Sequence, residues 1–333
     1  MKKLAVLVIV LFCLSSTVYD SYEPGYPQKS IADEGPGHFT VPSAFPTIQS
    51  ALDSAMLSGA KDITIIVEEG EYRESVVAVG LRNLKLIGRK AKILPPPEFH
   101  CPDPPTDDIY PLSSIKLINC ENFIVEGFVF IGDDFGEYTR EGYPMGSSIF
   151  SINSSGRISN NIIFNYFDGI RIQVDNLRWM KGEISDNYIY NCVWSGIFAT
   201  GSHHLTIQKN KIIFTIPKAL SISVGIWTDD GGMGIISGNH ITSYRAVDYH
   251  PQQEIDSGPD PWPARFNFME ELDYQVNENT FEQSAAVPGL NQIQVETGFQ
   301  SRFLSEALRI SNHFINVNRD RQQGNHDRMI TVR

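Results

Sequence analysis

Apolar and polar positions recur through the middle of the chain in one short pattern: an apolar residue, two further residues, Asn, one residue, and another apolar residue. It reads Ile158-Ser-Asn-Asn161-Ile-Ile163, Ile184-Ser-Asp-Asn187-Tyr-Ile189, Ile207-Gln-Lys-Asn210-Lys-Ile212, Ile236-Ser-Gly-Asn239-His-Ile241 and Val276-Asn-Glu-Asn279-Thr-Phe281. Asn312-His-Phe314 is a degraded last copy, and Ile124-Val-Glu-Gly127-Phe-Val129 reads as an early copy with Gly in place of Asn. The first four copies lie 26, 23 and 29 residues apart. A second column runs beside the first: Gly169-Ile-Arg-Ile172, Gly196-Ile-Phe-Ala199 and Gly225-Ile-Trp-Thr228.

Two short alternating strands every 20 to 30 residues, joined at Asn or Gly, predict a parallel β-solenoid. One coil cannot bury its apolar face, whereas stacked coils bury it continuously. Asn is expected at the turn because it tolerates left-handed backbone geometry, and stacked amides can also hydrogen-bond from coil to coil. The Asn column is therefore read as structural. Ahead of the repeats, Ile48, Ala51, Leu52, Ala55 and Met56 make one apolar stripe at helical spacing. Such a helix suits the open end of a solenoid, which needs a cap.

These features resemble the right-handed parallel β-helix proteins of the pectin-lyase-like superfamily. Val41-Pro-Ser-Ala-Phe-Pro-Thr-Ile-Gln-Ser-Ala-Leu-Asp-Ser-Ala55 is similar to their opening helix, Ile65 to Ser75 to their first coil, and Leu84 to Gly88 to the next. The likeness covers roughly residues 38 to 318. It implies an all-β fold: a right-handed parallel β-helix of roughly nine coils, about 40 Å long at strand spacing, with an N-terminal capping helix. Function does not follow from it, because the superfamily spans lyases, hydrolases, esterases, epimerases, adhesins and structural proteins. Three stretches break the rhythm and read as insertions from turns: 95–114, 132–147 and 244–273.

Met1-Lys2-Lys3, the apolar run Leu4 to Leu14 and Ser15-Ser16-Thr17 have the form of a secretory signal. Residues 1–18 are expected to be removed, 19–37 to be a linker and 38–333 to be a single domain, placing the protein outside the cell, in a periplasm or on a cell surface. An uncleaved anchor is the alternative; a lipobox is disfavoured by Phe12 before Cys13. No later stretch suggests a membrane span. Cys101 and Cys120 are placed to pair in an oxidising compartment, with three unpaired thiols, Cys192 included, as the alternative.

The formal charge is −12, from 27 basic and 39 acidic residues; removal of Lys2 and Lys3 leaves 25 against 39, or −14. That balance argues against a nucleic-acid partner. It also disfavours a long anionic substrate unless a cation or local Lys and Arg bridge it.

Alternation along a strand makes equivalent outward positions stack into columns. One column reads Arg171, Phe198, Trp227, with Phe150 from the coil before. The next reads Gln173, Thr200, Asp229. Aromatic rings beside an Arg, an amide and a carboxylate suit a carbohydrate groove; packing beneath an insertion or a second chain explains the same rings. A further outward column, Tyr188, Lys211, His240, offers proton-transfer groups or an ordinary wet face. Asp229-Asp230 before Gly231-Gly232 can act as an acid/base pair, hold Ca²⁺, or make a plain turn. His203-His204 reads as a turn.

The signatures of polygalacturonases and of pectin methylesterases are absent, and no string diagnostic of pectate lyases occurs. The expected function is that of a carbohydrate-active protein cleaving a polysaccharide or oligosaccharide as a glycoside hydrolase or lyase. Asp229, with Asp230 or a loop carboxylate, would serve hydrolysis, and Arg171, Lys211 or His240 would be base or charge neutraliser in elimination. Phe198, Trp227, Gln173 and Tyr188 would contact substrate. The alternative is a non-catalytic β-helix that binds glycans or builds a surface structure.

Overall fold

The computed structural model describes residues 37–96, 113–132, 146–174, 180–192, 195–201, 203–214, 224–228, 233–243, 262–266, 274–283, 294–297, 313–315 and 329–331. Their strands form three sheets of nine strands each. A representative coil contributes Ser155–Ser159 to the first sheet, Ile162–Phe164 to the second and Asp168–Val174 to the third. The next coil repeats the order with Met180–Ser185, Tyr188–Tyr190 and Ser195–Gly201. Each strand pairs in parallel with its counterpart one coil away, for example Ile158 with Ile184, Ile163 with Ile189 and Ile170 with Ile197. The last described pair, Gln294–Thr297 with Met329–Thr331, is antiparallel.

Packing explains the repeat. Ile149, Ile170, Ile197 and Ile226 stack inward from the third sheet, all fully buried. Ile163, Ile189, Ile212 and Ile241 do so from the second. Burying each such side chain contributes about 2 kcal/mol, and β-branching suits the pleat. Between the first and second sheets runs the Asn column. The side-chain amide of Asn161 donates to Asn187 Oδ1 at 3.1 Å, that of Asn187 to Asn210 at 3.0 Å, that of Asn210 to Asn239 at 2.9 Å and that of Asn239 to Asn279 at 2.9 Å. Each amide also donates to a carbonyl of the preceding coil, as Asn210 does to Ile184 at 2.9 Å. Each Oδ1 accepts a backbone N–H as well, as Asn210 does from Asn187 at 3.1 Å.

The left-handed residue is not the ladder Asn. It is the residue before it: Asn160, Asp186, Lys209, Gly238 and Glu278 have φ between 56° and 63°. The ladder Asn is needed for its buried amide, not for its backbone. The early copy also shifts by one position, because Val125, not Ile124, pairs with Ile158. Phe128 therefore stands in the Asn column, and its backbone N–H donates to Asn161 Oδ1 at 3.1 Å.

The capping helix spans Ile48–Ser58, starting later than the resemblance implied, because Val41 belongs to the strand His38–Val41. Thr47 and Ser50 form a reciprocal capping box, and Gly59 closes the helix at φ 68°. Ile48, Ala51, Leu52 and Ala55 are fully buried. Met56, included in the apolar stripe, is 41% exposed at the stripe's edge. Of the stretches read as insertions, Trp262–Phe266 inside the third is a strand of the third sheet, pairing with Val224–Thr228. Residues 97–112, 133–145, 244–261 and 267–273 lie outside the described residues, as do Cys13 and Cys101. Cys120 is a buried thiol whose Sγ lies 3.5 Å from the Ala78 carbonyl; the expected pairing with Cys101 falls on a residue outside the described ones.

Substitutions at neighbouring positions separate the two roles in the ladder turn. Asn210→Ala strands the backbone and side-chain N–H groups of Asn187 and should lower the unfolding free energy by about 3 kcal/mol. Lys209→Gly relieves a left-handed backbone and should be neutral or stabilising by about 1 kcal/mol. Chemical denaturation checks both; equal losses at 209 and 210 would contradict the assignment.

Candidate functional site

The outer side of the third sheet carries an uninterrupted register column: Lys116, Phe150, Arg171, Phe198, Trp227 and, by strand position, Arg265 and Glu296. Cations and rings alternate over its first four members. Lys116 Nζ lies 5.7 Å from the Phe150 ring centre. The Arg171 guanidinium sits between two rings, 5.6 Å from Phe150 and 4.5 Å from Phe198. Phe198 meets Trp227 edge to face at 5.1 Å and 74°. Strand spacing brings these groups within cation–π and aromatic range without any special loop.

The column is not an open groove along its length. Phe150 is 2%, Arg171 6% and Phe198 9% exposed, while Trp227 is half-buried. All lie outside the apolar core between the sheets. The covered reading thus holds from Phe150 to Phe198, and access increases at Trp227.

Arg171 is held by a buried carboxylate that the sequence pattern did not single out. Its Nη1 donates to Asp168 Oδ2 at 3.1 Å, and Ser195 Oγ donates to Asp168 Oδ1 at 2.6 Å. Asp168 is fully buried. Desolvation pushes its carboxyl above the usual carboxylate range, opposed by the charge of Arg171 and the Ser195 hydroxyl. The local fold places the pair. Gly169 and Gly196 face the interior: a Cβ on Gly169 would sit 2.4 Å from the Gly196 carbonyl and 2.7 Å from Ile189, and one on Gly196 would sit 2.7 Å from the Gly225 carbonyl. Because Gly169 and Ile170 both turn inward, the chain bends between them, and Asp168 and Arg171, three apart in sequence, come together. The detectable signal was the residue before each corner Gly, Asp168 stacked on Ser147 and Ser195.

Gln173 pairs in register with Thr200, as the outward pattern predicts. Asp229 and Asp230 follow directly on the strand Val224–Thr228 and lie outside the described residues. Among the described residues no group of three His, Cys, Asp or Glu could hold a metal ion. Tyr188, Lys211 and His240 do form one column. It runs on the second sheet, however, whereas Arg171 and Trp227 are on the third. The sequence-predicted residues therefore divide between two outer faces. Lys211 Nζ is 5.6 Å from the Tyr188 ring centre, and His240 Nε2 is 3.3 Å from Thr242 Oγ1. His203 and His204 are not a turn: they open the strand His203–Gln208, with His203 buried and His204 exposed. Burial lowers the His203 imidazole from 6.5 to about 4.

Residues 115–253 match the family model described as the right handed beta helix region, and the chain is a right-handed parallel β-helix. No curated protein matches the sequence. Solved structures similar to it include pectin methylesterase PemA from Erwinia chrysanthemi, at 14% identity and a TM-score of 0.47, over 76% of this chain and 91% of that one. Escherichia coli ybhc follows at 11% identity and 0.41, over 88% and 84%. A pectin methylesterase in complex with hexasaccharide VII is similar at 14% identity and 0.30, over 74% and 88%.

Two outcomes follow from the buried ionisable groups. Arg171→Met removes the guanidinium from a buried carboxylate and should cost about 3–5 kcal/mol. Adding Asp168→Asn should recover part of that loss in chemical denaturation, whereas simple additivity would show the pair is not coupled. For His203, the folded imidazole stays neutral down to about pH 4 while the unfolded one takes up a proton near 6.5. Stability should therefore fall by roughly 3 kcal/mol as pH drops through that window. His203→Gln should flatten that part of the pH profile; an unchanged slope would remove His203 as its source.

Proposed function

We propose that this protein is a secreted, carbohydrate-active β-helix that takes a polysaccharide along the third sheet near Trp227 and cleaves it by hydrolysis. The observation that carries the reading is the cation–aromatic column that reaches the half-buried Trp227 ring, on the strand whose sequence continues into Asp229-Asp230. An indole braced edge-on by Phe198 is a rigid platform for the apolar face of a sugar. Two carboxylates immediately beyond it supply an acid and a base, or ligands for a Ca²⁺ that would orient the substrate.

Hydrolysis is preferred over elimination because of where the cationic groups sit. Arg171 is locked to Asp168 beneath two rings, which gives it a positioning role for Phe198 and, through it, Trp227. Lys211 and His240 are on another sheet. Neither group stands on the strand Val224–Thr228 that runs into Asp229. The second reading is a glycan-binding or surface structural protein without catalysis. It is favoured by the burial of Phe150, Arg171 and Phe198, which packing alone explains.

The test is incubation of the protein with a panel of polysaccharides, following new reducing ends and the absorbance of unsaturated uronates. Hydrolysis predicts new reducing ends without unsaturated products. Asp229→Asn should then lower turnover about a thousandfold, and Trp227→Ala should raise KM about tenfold. Unsaturated product would establish the lyase chemistry instead, binding without product would establish the second reading, and wild-type turnover in Asp229→Asn would remove that carboxylate from the site.

A further inference from the structure

The N-terminal end of the third sheet carries a cation without a counter-charge. Lys116 is half-buried, and its Nζ lies over the Phe150 ring at 5.7 Å. Among the described residues it has no carboxylate partner. Burial pushes its amine below the usual lysine range, as expected for an ammonium drawn partly out of water and left unpaired. Register shows what is missing. Ser113, Ser147 and Asp168 stand in one column, and Lys116, Phe150 and Arg171 in another. The corner is built as in the Arg171 coil: Ser114 and Ile115 are both fully buried, Ser114 against the Tyr166 hydroxyl at 2.7 Å. Lys116 therefore occupies the place of Arg171, and Ser113 that of Asp168. The cation is kept, but the carboxylate is replaced by a hydroxyl, Ser113 Oγ, which is buried and has no hydrogen-bond partner among the described residues. Glu74, two residues before the neighbouring strand Val76–Val79, accepts the N–H groups of Ile48 and Gln49 instead.

The surroundings define the rest of the ligand. On the same outward side Val77 flanks Lys116 in register, and Val79, Ile118 and Ile152 make the adjoining register column. Val79 is 52% exposed, Val77, Ile118 and Ile152 are half-buried, and all four lie outside the apolar core. The column spans two strand steps, about 10 Å, and offers no side-chain donor or acceptor until Gln173 in the next coil. A hydroxyl-rich ligand would lose hydrogen bonds to water along it, whereas an alkyl chain of that length gains by burial. We propose that this end of the sheet binds a medium-chain fatty acid, with its carboxylate paired to the Lys116 ammonium beside Ser113 and its tail along Val79, Ile118 and Ile152. The ligand supplies to Lys116 the counter-charge that Asp168 gives to Arg171. Four strand steps, about 19 Å, separate Lys116 from Trp227. The site is thus distinct from the one proposed there and does not depend on it.

The test uses isothermal titration of the full chain with octanoate, with octanol and with acetate, alongside acylation footprinting of Lys116. Octanoate should bind at least about tenfold more tightly than either of the others and protect Lys116 from acylation. Lys116→Met, with the thermal midpoint unchanged, should bring octanoate down to the affinity of octanol, and Ile118→Ser should weaken octanoate by about tenfold. Octanoate binding that leaves Lys116 fully reactive would overturn the site. Octanol binding as tightly as octanoate would overturn the role of the ammonium, and acetate or a free hexuronate matching octanoate would overturn the apolar half of the ligand. Absence of octanoate binding would overturn the proposal outright. Polysaccharide cleavage is read separately by the reducing-end assay, so either reading can fail without the other.

Discussion

Register between coils rests on a column of buried amides. The residues Asn161, Asn187, Asn210, Asn239 and Asn279 are almost completely buried, and each of the first four passes a hydrogen bond to the next coil. An unpaired amide in that position leaves donors and acceptors unsatisfied, which costs more than a well-made bond contributes. A coil displaced by one residue would break the chain of amides and turn its Ile residues outward. Apolar stacking supplies most of the stabilisation, but it is tolerant of sliding along the helix axis. The amides are not, and they define which residue lies above which.

Everything on the outer faces inherits that registration. Lys116, Phe150, Arg171, Phe198 and Trp227 come from five different coils, and they meet only because equivalent positions superpose. The corner glycines add a second constraint. With no room for a Cβ at Gly169 or Gly196, the chain turns tightly enough to bring Asp168 under Arg171. Desolvation of that ion pair is costly, and its Coulombic gain offsets the cost only in part. Its consequence is geometric: a guanidinium fixed between two rings orients Phe198 and braces Trp227.

Period, strand alternation and the inward apolar columns were legible in the sequence because they repeat, and repetition averages away local exceptions. The left-handed turn residue was not, since Asn160, Asp186, Lys209, Gly238 and Glu278 share no side-chain chemistry and only the backbone unites them. At Gly127 the one-residue shift was hidden because Ile124 and Val125 are both apolar and either fits the pattern. Within the described residues the outward columns stack in the order read, but their burial could not be read, because alternation says which side a residue faces and not what packs over it. Asp168 escaped notice because its partner lies three residues away on a strand, where alternation alone would place the two on opposite sides. The division of Arg171 from Lys211 and His240 likewise needed the corner between sheets, which no periodicity encodes.

Two outer faces thus carry different chemistry on one scaffold: a partly covered cation–aromatic column on the third sheet, and an aromatic cluster of Phe164, Tyr188 and Tyr190 on the second. The most direct measurement is a crystal structure of the protein soaked with an oligosaccharide from the polymer it binds most tightly. A sugar ring lying against the Trp227 indole, with Asp229 or Asp230 at a glycosidic oxygen, is the expected result. An indole sealed by the protein's own chain, with sugar bound elsewhere or not at all, would contradict it.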